Sequence, residues 1–175
     1  MNAERQNSER QFLELVDANR LKVLKICHVY ARNPADRDDL YQEILFQIWR
    51  SLPSLKAGGY ANTWLYRIAL NTSISFVRKQ ATQYARTVAC DQEQMSRMAE
   101  FRQPERTKTD EQLADLYVAI AKLDNVEKAL VTLFLEDLSY EQIAEVMGLS
   151  VPNVGVMLHR AKKKLSSLMT EEAPK

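Results

Sequence analysis

The stretch Ser139 to Leu165, SYEQIAEVMGLSVPNVGVMLHRAKKKL, decides how the rest of the chain is read. Ser139 can cap a helix while Gln142 reaches back to it, the reciprocal arrangement that satisfies two orphan backbone donors. Ile143, Ala144 and Met147 then fall on one face at helical spacing. Gly148 stands where the chain must leave that helix with positive φ. Ser150 opens a second helix whose Pro152 lies in the first turn, where a missing N–H costs little. A turn this short joins only a crossed pair, so the stretch is a helix-turn-helix. Its second helix carries Arg160, Lys162, Lys163 and Lys164 with no acid before Glu171, a pattern suited to phosphate contact in a major groove. A helical hairpin with a basic end is the plain alternative; the reciprocal cap, Ala144, Gly148 and the basic tail together favour DNA.

Composition limits what else the chain can be. Its 175 residues suffice for two small domains, and a hydrophobic fraction of 46% supplies packed cores. A net charge of +1 argues against a uniformly basic nucleic-acid coat. Residues 1–80 carry twelve Lys and Arg against eight Asp and Glu, whereas 110–175 carry seven against eleven. The isolated protein is therefore expected to grip duplex DNA poorly, because non-specific affinity grows with the number of phosphates neutralised. Cys27 and Cys90 are far apart and outside any CxxC, which predicts free thiols and a reducing compartment. Neither the cysteines nor His28 and His159 have zinc-ligand spacing, and no metal or other cofactor is expected. No secretory leader or bilayer-length apolar run is present, which places the chain in the cytoplasm without membrane insertion. With no nucleophile elbow, phosphate loop or histidine-carboxylate constellation, no catalytic residue is assigned.

Outward from the helix-turn-helix the pattern is helical throughout, so the fold class is all-α. Ser8 with Gln11 forms a second capping box, followed by Phe12, Leu15, Val16, Asn19, Val23, Ile26, Cys27 and Tyr30 at spacings of three and four, which predicts a helix over 8–31. Asn33 and Pro34 start another, with Leu40, Ile44, Ile48 and Leu52 on one side and Pro53 to stop it. After the glycine-bearing loop PSLKAGG a third helix is expected over 60–79, burying Trp64, Leu65, Ile68 and Phe76. Residues 81–109, rich in Gln, Arg, Glu and Thr, read as a flexible linker with a weak helix over 92–101. Beyond it, Leu113, Leu116, Tyr117, Ile120 and Leu123 mark a helix, and Asp124 with Glu127 caps the next, whose buried face is Leu130, Leu133 and Phe134.

The stretch DRDDLYQEILFQIWRSLPSLKAGGYANTWLYRIALNTSISFVRKQ, residues 36–80, resembles the second region of bacterial RNA polymerase sigma factors, especially the extracytoplasmic-function (ECF) group of the sigma-70 family. The likeness rests on Asp39, Leu40, Gln42, Glu43 and Trp49, then Trp64 to Ala69, Asn71, Arg78 and Lys79. LSYEQIAEVMGLSVPNVGVMLHRAKKKL looks like the family's fourth region. Two blocks in the right order are jointly specific. The resemblance implies two small helical domains, a region 2-like bundle over 1–80 and a region 4-like helix-turn-helix over 110–175, joined by the linker 81–109.

It also implies partners. Asp39, Leu40, Gln42, Glu43 and Trp49 would dock on the clamp helices of the largest polymerase subunit, with the rear domain on the flap; carboxylate and amide groups suit arginine-rich helices. Lys56, Tyr60, Asn62, Arg67, Asn71, Arg78 and Lys79 would trap unstacked bases of the −10 element and hold its backbone. Trp64 is assigned to the core and not to base stacking. Ser150, Asn153, Val156, Met157, Arg160, Lys162, Lys163 and Lys164 would meet the −35 element. Here the chain departs from the family, which commonly has polar or basic residues where Gly155, Val156 and Met157 stand. Valine and methionine make no bidentate base contacts, so readout should rest on Asn153, thymine methyls and DNA shape. An apolar strip that binds a protein, such as an anti-sigma factor, is the second explanation.

The expectation is thus a dissociable sigma subunit that brings polymerase core to specific promoters and helps melt the −10 region. Its rivals are a stand-alone helix-turn-helix regulator, which leaves residues 36–79 unexplained, and a sigma-like protein acting mainly by binding an anti-sigma factor.

Overall fold

A computed structural model describes residues 2–31, 33–55, 61–88 and 108–171, and every regular element among them is helical. In chain order these are α1 (Asn2–Tyr30), α2 (Pro34–Ser51), a 3-10 turn (Leu52–Ser54), α3 (Ala61–Val88), α4 (Lys108–Ala121), α5 (Asn125–Leu135), α6 (Tyr140–Met147) and α7 (Val151–Glu171). Helices α1 to α3 pack on one another as a front bundle, and α5, α6 and α4 pack around α7 as a rear unit.

Local chemistry sets most of the boundaries. Asn33 accepts the Asp36 N–H at 2.8 Å and Pro34 supplies the first helical residue, so α2 starts where its own amide is not needed. Asp124 accepts from the N–H groups of Val126 and Glu127 while the Glu127 carboxylate accepts the Asp124 N–H at 3.1 Å, capping α5. Ser139 and Gln142 cap α6 in the same reciprocal way. Gly148, at φ 68°, then ends it, and the Leu149 N–H closes onto the Ala144 carbonyl at 3.0 Å.

Two expected starts and ends differ. Helix α1 begins at Asn2, so Ser8 lies in its second turn and not at its head; the segment before it contains Ala3, Glu4, Arg5 and Gln6, good helix formers with nothing to break the run. Helix α3 continues past Lys79 to Val88, because no Gly or Pro interrupts it, and so passes through the first residues assigned to a linker. The weak helix expected over 92–101 lies outside the described residues.

Burial follows the helical periodicity. Leu40, Ile44 and Ile48 of α2 pack wholly inside with Leu65, Ala69 and Leu70 of α3 and Val23, Ile26 and Cys27 of α1. Each such aliphatic side chain contributes about 2 kcal/mol on leaving water. In the rear unit Leu130, Leu133, Ile143, Val154 and Leu158 do the same. The two units are not separate: α1 touches α4 and α5, α3 touches α6, and their buried residues form one continuous cluster. No described helix is long and apolar enough to cross a membrane.

Candidate functional site

Helices α2 and α3 enclose a cleft of about 1060 Å³ whose walls differ in charge. Asp36, Asp39, Gln42 and Glu43 line it from α2; Asn71, Arg78 and Lys79 line it from α3. Since α2 must turn Leu40, Ile44 and Ile48 inward, Asp39, Gln42 and Glu43 fall on its outer flank, with Asp39 and Gln42 exposed. Glu43 accepts from Gln47 at 2.8 Å, which holds its carboxylate along the helix, and the Gln80 amide donates to Asp36 at 2.7 Å across the cleft. The structure therefore brings Asp39, Gln42 and Glu43, expected to meet polymerase, and Asn71, Arg78 and Lys79, expected to meet melted DNA, onto one cleft from opposite sides.

Other assignments need correction. Leu40 is fully buried, at 0% exposure, so it cannot touch a partner; its place in the motif reflects the core under the docking face. Trp49 is 38% exposed, its ring edge-on to Phe12 at 5.3 Å, and Phe46 is exposed one turn before it, so the apolar half of this face comes from both aromatics. Phe46 went unassigned, although a large apolar residue off the 40, 44, 48 stripe was the signal for it. Trp64 packs against the core as assigned. Lys56 and Tyr60 lie outside the described residues. Asn62 accepts from Lys22 at 3.3 Å, and Arg67 donates to the Glu145 carbonyl of α6, so both engage within the chain.

The helix-turn-helix presents a narrower outer face than its composition implied. Val154, Leu158 and Ala161 are buried, which turns Asn153, Val156, Arg160 and Lys163 outward at spacings of three and four, with Ser150 exposed at the head of α7. Val156 is 53% exposed. Met157 is a correction: it is partly buried against the core, being next to Leu158 on the inward side. Lys162 and Lys164 are bound from within, Lys162 lying 3.3 Å from the centroid of the Phe134 ring and Lys164 pairing with Glu127 at 2.7 Å. Gly155 faces Tyr140, whose ring would stand 3.7 Å from a Cβ placed there.

Residue sets that sequence reasoning did not assign join the two units. Glu136, just past the end of α5, accepts from Lys25 at 2.6 Å and from the Tyr66 hydroxyl at 3.0 Å. This contact holds the Lys25 ammonium above the usual lysine range, and burial, reinforced by Glu136, pushes the Tyr66 phenol up. Tyr30 donates to the Asn125 carbonyl at 3.1 Å, and burial raises its phenol too. The signal for Glu136 was its position: a carboxylate at a helix C-terminus is disfavoured by the helix dipole, so something else must hold it. Cys27, in the core beside them, is a free thiol that burial has pushed up to about 12, which makes it unreactive. No group of metal-ligating side chains occurs among the described residues.

Comparison with known proteins converges on one family. Residues 15–83 match the family model for Sigma-70 region 2, and residues 113–165 that for Sigma-70, region 4. The RNA polymerase sigma factor YlaC of Bacillus subtilis (strain 168) is 31% identical over 137 residues, covering 76% of this chain and 77% of YlaC. The chain belongs to the sigma-70 family. Within it the chain falls in the ECF group: ECF RNA polymerase sigma factor SigE of Mycolicibacterium smegmatis is 28% identical over 162 residues, 91% of this chain. The chain spans 62% of the length of that SigE. Among solved structures, the sigma factor RpoE of Bartonella quintana, in complex with the anti-sigma factor NepR, superposes with a TM-score of 0.68 at 18% identity, over 96% of this chain and 99% of that one, and so shares the fold. In sigma-70 terms the cleft belongs to region 2 and the outer face of α7 to region 4.

Proposed function

We propose that this chain is a dissociable sigma subunit that directs RNA polymerase core to specific promoters and helps open the −10 region. The observation that carries the reading is the two-sided cleft: α2 offers Asp39, Gln42 and Glu43 to a basic partner, and α3 offers Asn71, Arg78 and Lys79 to a polyanion, within a matched region 2. Polymerase clamp helices suit the first wall and a melted strand the second, so docking and strand capture are coupled by geometry. The rear face, Asn153, Val156, Arg160 and Lys163, reads the upstream −35 element mainly through phosphates, a thymine methyl and shape. The factor performs no bond chemistry of its own, and it works in the cytoplasm where promoter DNA lies. The complex of the Bartonella relative with an anti-sigma factor supports an inhibitory protein partner for this chain as well.

Run-off transcription with purified core polymerase tests this directly. Specific initiation from a subset of promoters is the expected result, with poor duplex binding by the free chain; silence with core, together with tight stand-alone duplex binding, would establish a simple regulator instead. Glu43→Lys, which reverses charge on the outer flank of α2 without touching the core, is expected to abolish association with core polymerase while leaving the helical content unchanged. Normal association by that variant removes the docking assignment.

A further inference from the structure

Asn19 interrupts the apolar stripe of α1 with a side chain only 5% exposed, and a buried amide needs partners at both its ends. It has them. Its NH2 group donates to the Leu15 carbonyl one turn back at 2.8 Å, which leaves the Asn19 oxygen to accept from the Lys22 ammonium at 3.0 Å. Lys22 also reaches from α1 to the first turn of α3, where it donates to the Asn62 oxygen at 3.3 Å and stands 5.8 Å from the centroid of the Tyr66 ring.

This series of bonds has a direction. An ammonium carries three donors and no acceptor, so every amide that meets Lys22 must present its oxygen. The polarity set by the helix backbone at Leu15 is handed through Asn19 and Lys22 to Asn62, and bonds in such a series strengthen one another. Asn62 is exposed, and with its oxygen on Lys22 its NH2 group is directed away from the ammonium.

The consequence concerns which base Asn62 can read. An asparagine free to turn over reads adenine with both ends of its amide, accepting from N6 while donating to a ring nitrogen. Asn62 is set against that pairing. The second lone pair of its oxygen lies beside the ammonium, where an incoming N–H would meet like charge, so the donors are what it offers. Donors suit an edge that presents acceptors, as the O2 of an unstacked pyrimidine does.

We infer that Lys22 is a positioning residue for base selection: held by Asn19, it fixes Asn62 as a donor and so turns this part of the −10 contact against adenine and towards a pyrimidine edge. The inference rests on the assignment of Asn62 to melted DNA under the proposed function. Lys22 acts through Asn62 and touches no base itself.

Two measurements on the full chain test it. Side-chain amide NMR of the free factor reads the orientation: the Asn62 NH2 resonances, identified by their loss in Asn62→Ala, should shift and lose order in Lys22→Met. Lys22→Arg, which keeps a donor-only group, should leave them ordered. Base selection is read by letting polymerase core loaded with the factor partition a random-sequence single-stranded DNA pool, with core alone as the background, and sequencing what is bound. One position of the enriched motif should disfavour adenine, and Lys22→Met should relax that bias by about fivefold, the low end of what a two-bond base contact distinguishes. Lys22→Arg should keep the bias, Asn62→Ala should abolish it, and adding Lys22→Met to Asn62→Ala should change nothing further. Weaker binding of the whole pool by Lys22→Met with the bias intact would reduce Lys22 to a charge near DNA and overturn the inference, as would Asn62 resonances that keep their place and order in that variant. A bias that survives Asn62→Ala overturns the base contact. A pool enriched no more than by core alone would count against the sigma assignment, and the NMR arm, which needs neither DNA nor polymerase, decides the orientation separately.

Discussion

Two helices carry the candidate DNA contacts, and they hold their basic groups in different ways. On α7, Lys162 and Lys164 are tied to Phe134 and Glu127 of α5, within the same rear unit. On α3, Arg67 is tied across to α6, in the other unit, while Arg78 and Lys79 stay exposed on the cleft. The difference is one of reach. Ties inside one unit steady the recognition helix on its support, whereas a tie between units couples a cation of the front bundle to the position of the rear one. Basic residues counted along a sequence are therefore not equivalent: some hold a helix in place and others are available to a ligand.

The largest effects should come from the cores, and they test whether the two units are thermodynamically one. Leu65 of α3 and Leu158 of α7 are both fully buried. Either truncated to alanine is expected to cost about 3 kcal/mol, from lost transfer energy and the cavity left behind. Since the buried cluster is continuous between the units, urea unfolding of both variants should move one common transition. Two transitions, each sensitive to only one substitution, would break the comparison by making the inter-unit contacts too weak to couple the cores.

Smaller effects of opposite sign are expected at two glycines of the helix-turn-helix. Gly148 holds φ 68°, a left-handed conformation, so Gly148→Ala should cost about 1 kcal/mol although there is open space for a methyl. Gly155 sits inside α7 with room for a Cβ at ordinary contact distance from Tyr140, so Gly155→Ala should stabilise by up to about 1 kcal/mol through helix propensity. Chemical denaturation of the pair measures both. Destabilisation by Gly155→Ala would mean that α6 and α7 approach more closely than the Tyr140 contact allows.

Much of this was legible because it is local. The caps at Asn33, Asp124 and Ser139 and the turn at Gly148 lie within a few residues of what they satisfy, and helical periodicity separates inward from outward faces. The exposed flank of α2 and the outward residues of α7 follow from that spacing. What was not legible is pairing at a distance. Glu136 meets Lys25 and Tyr66 at separations of 111 and 70 residues, and no periodicity says which unit a given face will meet. Leu40 was misassigned because a family motif mixes the docking surface with the core beneath it. Lys162 and Lys164 were counted as phosphate contacts because charge can be read from sequence but its partner cannot.

The smallest expected effect separates these two uses of a lysine on a single helix. Lys162→Met keeps the stem that packs along α7 but removes the charge over the Phe134 ring, and should cost about 0.5–1 kcal/mol of stability. If that ammonium is held by the ring, polymerase bearing this variant should bind upstream duplex with an unchanged salt dependence. Lys163→Met, on the exposed side, should do the reverse, leaving stability nearly unaltered and lowering the slope of log affinity against log salt by about 0.9, the value for one phosphate contact. A reduced slope from Lys162→Met would show that the lysine leaves Phe134 for phosphate when DNA is present, so that a contact within the rear unit does not by itself withhold a cation from a ligand.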